Sequence, residues 1–97
     1  MEPDTSVKVA HNTAQSRFEA HVNGQLCVAD YALRRDVMVM THTGVPYALR
    51  GHGIAAALVQ GALDHARAQG LRVDPQCSYV ASYMRRHPQT QDLLARS

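Results

Sequence analysis

"VPYALRGHGIAAALVQGAL", Val45 to Leu63, decides how this chain is read. A proline-bearing stretch runs into Arg50-Gly51-His52-Gly53, and from Ile54 onward the apolar residues recur at helical spacing. Ile54, Leu58, Ala62 and Ala66 form one stripe, with Ala55, Val59 and Leu63 beside it. Gln60, Asp64, Arg67 and Gln69 fall largely away from that stripe, and Gly70 supplies a left-handed C-terminal residue.

A glycine pair directly ahead of a helix has three readings. The plainest is a turn in which glycine only permits the geometry. The second is a dinucleotide site, since Gly51, Gly53 and Ala56 satisfy G-x-G-x-x-A and Asp74 stands about 20 residues further on. That fingerprint opens a parallel βαβ unit, however, and too little chain follows Gly53 to complete a doubly wound sheet. The third is a pyrophosphate held by the helix N-terminus itself. The first helical turn has unpaired N–H groups and a partial positive charge of about half a unit. The glycines allow close approach of the backbone, and Arg50 adds a cation at the entrance.

What precedes the loop is an antiparallel meander. Val7 to His11 alternates apolar and polar, and Phe18, Ala20 and Val22 alternate with Arg17, Glu19 and His21. Asn23-Gly24 is a hairpin signal. The return strand "QLCVADYAL" has Cys27, Ala29, Tyr31 and Leu33 on one face and Leu26, Val28 and Ala32 on the other, which predicts cover on both sides. Arg35-Asp36 turns the chain into "VMVMTHT", apolar at nearly every position as a central strand is. Gly44 and Pro46 stop it.

After the helix, "LRVDPQC" reads as a short strand and "SYVASYMRRH" as a second helix stopped by Pro88. "TQDLLAR" reads as a last helical turn docking Leu93 and Leu94. The order β-β-β-β-α-β-α defines an α+β class: a meander followed by a crossover helix on a mixed sheet. A length of 97 residues accommodates one domain, 1–97, with residues 1–6 as a loose N-terminus.

Composition excludes several function classes. A net charge of +2, with Arg34-Arg35 and Arg85-Arg86-His87 as the densest basic clusters, lacks the stripe expected of a nucleic-acid binder. No apolar run approaches the ~20 residues of a membrane span. Cys27 and Cys77 form no metal-type or CxxC spacing, so no metal is expected, and reduced thiols in a cytoplasmic protein are the expectation.

At the level of motifs, "VPYALRGHGIAAALVQGAL" resembles motif A of the GNAT acetyltransferase superfamily, in which a valine-ended strand leads into R/Q-x-x-G-x-G/A. The combination "VMVMTHTGVP…LRGHGIAAALV…DPQCSYVASYMRRHP" resembles the minimal single-domain GNAT-like N-acetyltransferases, from about Val7 to Leu94. One position departs from the pattern: the Arg or Gln that often opens it is replaced by Ala48.

The resemblance implies a GNAT-like fold whose sheet splays, with acetyl-CoA or coenzyme A as cofactor. Thr43, Gly44 and Val45 would meet the pantetheine arm, and Arg50, Gly51, His52, Gly53, Ile54 and Ala55 the pyrophosphate. It implies transfer of an acetyl group to an amine, or alternatively a CoA-binding module or sensor without efficient transfer. Larger relatives carry additional N-terminal helices that build an acceptor pocket. Their absence here points to an open acceptor side, suited to a small-molecule, protein or peptide amine or to completion by a second subunit in a homodimer.

Three residues are candidates for chemistry. Cys77 follows Pro75 at the start of the second helix, where unpaired N–H groups stabilise a thiolate. By resemblance it lies near the cofactor sulfur, as acetyl-accepting nucleophile, proton donor or pocket wall. Tyr79 and Tyr83 lie four apart on one helix face, and one of them, Tyr79 in first place, is a candidate acid for the leaving thiolate. His42 is a candidate base for the incoming amine. His87 reads as a helix C-terminal cap and Cys27 as core.

Overall fold

Period-two alternation carries the first half of the chain into sheet. The computed structural model describes residues 7–95. Strands β1 (Ala10–Asn12), β2 (Arg17–Val22), β3 (Gln25–Arg34) and β4 (Val37–Gly44) pair as successive antiparallel neighbours. Helix α1 (Ile54–Gln69) then crosses over, and β5 (Arg72–Pro75) adds to β4 in parallel, giving the order β1-β2-β3-β4-β5. Helix α2 (Ser78–Arg86) and a 3-10 segment, Pro88–Leu93, complete the chain. The boundaries follow local chemistry: Gly70 takes φ 72° as the α1 cap, and His87 caps α2 with Nδ1 2.7 Å from the Tyr83 carbonyl oxygen.

One face of the sheet carries the core. Phe18, Ala20, Cys27, Ala29, Tyr31, Met38, Met40 and Val73 alternate inward and pack with Leu58, Val59, Ala62 and Leu63 of α1 and Val80, Tyr83 and Met84 of α2. Burying each large member contributes roughly 1.5–3 kcal/mol.

Three expectations are revised. The first strand begins at Ala10 rather than Val7; Val9 instead lies against α1, where a Cβ on Gly61 would come within 3.1 Å of its Cγ1. Strand β3 is covered on one side only. Both helices share the core face, so Leu26 and Ala32 on the other face are exposed; Leu33, opposite Met38 on the core face, is exposed near the strand's end. Leu94 continues the sheet instead of the last turn, bridging Val73 in parallel, while the Ala95 N–H donates to the Val73 carbonyl oxygen at 2.8 Å. The loose terminus expected at 1–6 lies outside the described residues.

A polar inclusion ties the meander's edge to the helix. The His11 ring stacks on Phe18 with centroids 4.1 Å apart and meets His65 of α1 edge-on at 4.4 Å. His11 Nε2 is hydrogen-bonded to the Tyr31 hydroxyl at 2.6 Å. Burial, and then the charge of nearby His65, hold the His11 pKa below the usual histidine value. The unfolded chain therefore takes up the proton first, and the associated stability is present above the unfolded pKa and lost as pH falls through the folded one. The unfolding temperature should decline as pH drops from about 7.5 to 5.5, and His11→Phe should flatten that slope. A level wild-type profile measured by circular dichroism would contradict this account.

Candidate active site

A break in strand pairing creates the site. Strand β4 pairs with β5 only from Val37–Met40 opposite Arg72–Pro75. The Cys77 N–H donates to the Met40 carbonyl oxygen at 2.9 Å as a last link, after which β4 continues to Gly44 while the other chain turns into α2. At the same level β4 carries a bulge. His42 lies opposite Asp30 and Met40 opposite Tyr31, leaving Thr41 without a register partner. The extra residue reverses which side chains face which way. Thr43, opposite Ala29, joins the helix-covered face, whereas His42 joins the open one.

A cavity of about 460 Å³ fills the wedge between β4 and α2. Thr43 and Val45 form one wall, Tyr79 and Arg86 the other, and Leu49 and Ile54 an apolar base. The loop ahead of α1 adds Arg50, Gly51 and Gly53, and the first turn of α1 adds Ala55 and Ala56. Among the described residues, no acidic side chain lines it.

The loop is built by backbone demands. Gly51 and Gly53 sit at φ 84° and 79°, a left-handed conformation that side chains strain, and a Cβ at either would project into open space. Gly53 is the N-cap of α1, so no side chain caps that helix, and no acidic residue stands in its first turn. The first-turn N–H groups and the positive end of the dipole are left facing the cavity. Arg50 is braced by its Nε, which donates to the Val45 carbonyl oxygen at 3.1 Å, and lies 5.7 Å from the Tyr47 ring centroid. Ala48, in the 3-10 turn Tyr47–Leu49, is exposed and outside the lining.

Cys77 is the N-cap residue of α2, half-buried behind Thr43, with Thr43 Oγ1 and Cys77 Sγ 3.5 Å apart. Burial on its own raises its thiol pKa. Hydrogen bonds from the Thr43 side chain and from the backbone N–H groups of Val80, Tyr79 and Thr43 outweigh burial and hold the pKa below the usual value. Cys27, fully buried on β3, is pushed up by burial.

The two tyrosines separate cleanly. Tyr79 lines the cavity, while Tyr83 is buried and donates to Gln60 Oε1. Cys77, His42, Gly44 and His52 are not brought to the cavity wall; Cys77 lies behind the lining residue Thr43, His42 lies on the open face beside Gly44, and His52 is exposed. Sequence reasoning did not assign Arg86 to the site. Arg86 was findable, because it stands two helical turns beyond Tyr79 and so on the same face of α2. Among the described residues no cluster of three or more His, Cys, Asp or Glu stands in metal-binding arrangement, and no helix is long and apolar enough to cross a membrane.

A sheet that parts beside an uncapped, glycine-preceded helix defines a GNAT-type fold, and comparison with known proteins agrees. The family model for GCN5-related N-acetyl-transferases matches residues 17–93, and the chain belongs to that family. Protein NATD1 from Xenopus tropicalis is 31% identical over 96% of this chain and 88% of its own length. The Mus musculus NATD1 is 30% identical over 96% and 87%. The solution structure of a GCN5-like protein from Staphylococcus aureus superimposes with a TM-score of 0.74 at 21% identity, covering 94% of this chain and 90% of that one.

The environments of the two thiols lead to a direct chemical test. At pH 7.5, limiting iodoacetamide should modify Cys77 well ahead of Cys27, as peptide mass spectrometry reads it. Thr43→Val should move the pH midpoint of Cys77 alkylation upward, and an unmoved midpoint would remove Thr43 from the account of this thiol.

Proposed function

We propose that this chain binds acetyl-CoA in the wedge between β4 and α2 and transfers its acetyl group to an amine. The observation that carries this reading is one continuous cavity running from Thr43 and Tyr79 to the uncapped N-terminus of α1. Its polarity suits the ligand. The pantetheine lies along Thr43–Val45, where β4 has lost its β5 partner, and the pyrophosphate lies on the amides of Gly51 to Ala55 beside Arg50. Family membership supports the same cofactor.

In this reading the acetyl thioester lies near Thr43, within reach of Cys77 and Tyr79. The lowered thiol pKa favours Cys77 as nucleophile rather than acid. Its thiolate attacks the thioester carbonyl carbon, the new C–S bond forms, the bond to CoA breaks, and the Tyr79 hydroxyl supplies the proton taken up by the CoA sulfur. An amine then attacks acetyl-Cys77, regenerating the Cys77 thiolate. The neutral amine loses one proton through His42, and one proton returns to the Tyr79 oxygen by solvent. The amine approaches from the open face, where the bulge places His42 opposite Asp30.

Binding and chemistry are tested separately. Millimolar CoA should raise the unfolding temperature by several degrees, since saturation at about 100 Kd contributes roughly 2.7 kcal/mol. Ala55→Glu should abolish that rise while leaving the apo protein folded. A carboxylate in the first helical turn is favourable to the helix and repels the pyrophosphate. No rise in the wild type overturns the cofactor assignment.

For the chemistry, intact mass after acetyl-CoA treatment should show one acetyl adduct, absent in Cys77→Ser. Wild-type turnover retained in that variant would exclude the thiol from the reaction. Binding without adduct or turnover would favour a CoA-binding module instead.

A further inference from the structure

Helix-dipole complementation does not distinguish Arg86 from its neighbour. Arg86 stands in the last turn of α2 beside Arg85, where either arginine complements the helix dipole. Of the two, only Arg86 lines the cavity. Among the described residues no carboxylate forms an ion pair with it: the recorded pairs are Arg17 with Glu19 and Arg67 with Asp92. It is therefore an exposed cation lining the cavity, with no carboxylate partner among the described residues.

Its position along the cavity assigns its end. Tyr79 and Arg86 are the two residues of α2 on the wall, separated by two helical turns, about 10 Å along the axis. Tyr79 lies in the first turn of α2, next to Cys77 and the sulfur end. Arg86 stands at the opposite end of the helix, and Arg50, Gly51 and Gly53 of the α1 loop contribute to the same cavity. The loop contributes backbone amides and the braced Arg50, while Ala48 offers no side chain to the cavity.

We infer that Arg86 is a second phosphate-binding cation of this site, supplied by α2 in place of a side chain at position 48. The inference rests on the acetyl-CoA reading above and names the residue that sets affinity for the nucleotide half of the ligand. A guanidinium held on a helix opposite Arg50 makes the phosphate end two-sided. One cation then comes from each wall, with no acid among the described lining residues to compete. Arginine offers paired donors to a phosphate that lysine does not, so the site should distinguish the two.

The test compares binding of CoA, 3′-dephospho-CoA and pantetheine to the wild type, Arg86→Ala, Arg86→Lys and Arg85→Ala, by isothermal titration at two salt concentrations. Arg86→Ala should weaken CoA about tenfold or more, the scale of one charge-assisted hydrogen bond. It should also flatten the salt dependence of CoA binding and leave pantetheine affinity unchanged. Arg86→Lys should recover part of the loss, and Arg85→Ala should behave as wild type. A loss confined to CoA places Arg86 on the 3′-phosphate, and a loss shared with 3′-dephospho-CoA places it on the pyrophosphate; both support the inference. Wild-type CoA affinity in Arg86→Ala overturns it, as does an equal loss for pantetheine, which would make the residue structural. A wild type that binds no CoA overturns the cofactor reading and this inference with it, an outcome distinct from a wild type that binds and a variant that does too.

Discussion

Everything at this site depends on where β4 and β5 stop pairing. A parallel ladder maintained to Gly44 would satisfy the backbone of Thr41 to Gly44 and close the sheet over the space the cavity occupies. Pairing ends instead at Met40 and Pro75, at the level where Thr41 is inserted as a bulge. Proline at the end of β5 withholds a ladder N–H, and the Cys77 N–H makes the last bond to Met40 before the chain turns into α2. The break is thus written into two adjacent features, a proline on one strand and an extra residue on the other.

The bulge also sorts the side chains. A regular strand would have sent Met38, Met40, His42 and Gly44 to the core face. The inserted Thr41 sends Thr43 there, into contact with Cys77, and moves His42 to the face that carries no helix. One residue of register therefore separates a thiol-bearing, helix-covered side from an open side bearing an imidazole. In the proposed reaction these are the donor and acceptor sides of the same gap.

Much of this was legible in the chain, and the reasons are specific. Alternation across Arg17–Val22, the Asn23-Gly24 turn and the Ile54–Leu58–Ala62–Ala66 stripe are local signals, and the elements they specify form where expected. The glycine loop was also local, because positive φ at Gly51 and Gly53 is a backbone requirement that the sequence states directly. What misled were features set by tertiary pairing. Apolar residues at Leu26 and Ala32 predict cover that only another layer could provide, and both helices had gone to the other face. The facing of His42 turns on a bulge that depends on the partner strand, and "VMVMTHT" has no glycine or proline to announce it. Arg86 reads as one member of the basic cluster Arg85-Arg86-His87 until the cavity wall is seen.

The same accounting explains why a domain this small tolerates an imperfect fold at one place. Helix α1 has no side-chain cap, strand β4 has an edge that β5 abandons, and the loop between them spends two glycines on left-handed backbone. Each of these lowers stability, a glycine in place of a capping side chain by only about a few tenths of a kcal/mol. All three leave backbone groups facing one cavity whose described lining contains two arginines and no acid. Elsewhere the chain follows the ordinary rules, with a full core under α1, a glycine cap at Gly70 and no buried side-chain polar atom lacking a partner among the described residues. Departures from local optimality gathered around one concave, electropositive wedge are what the proposed anion site would require: in that reading the donors stay unpaired in the free protein so that the ligand can complete them.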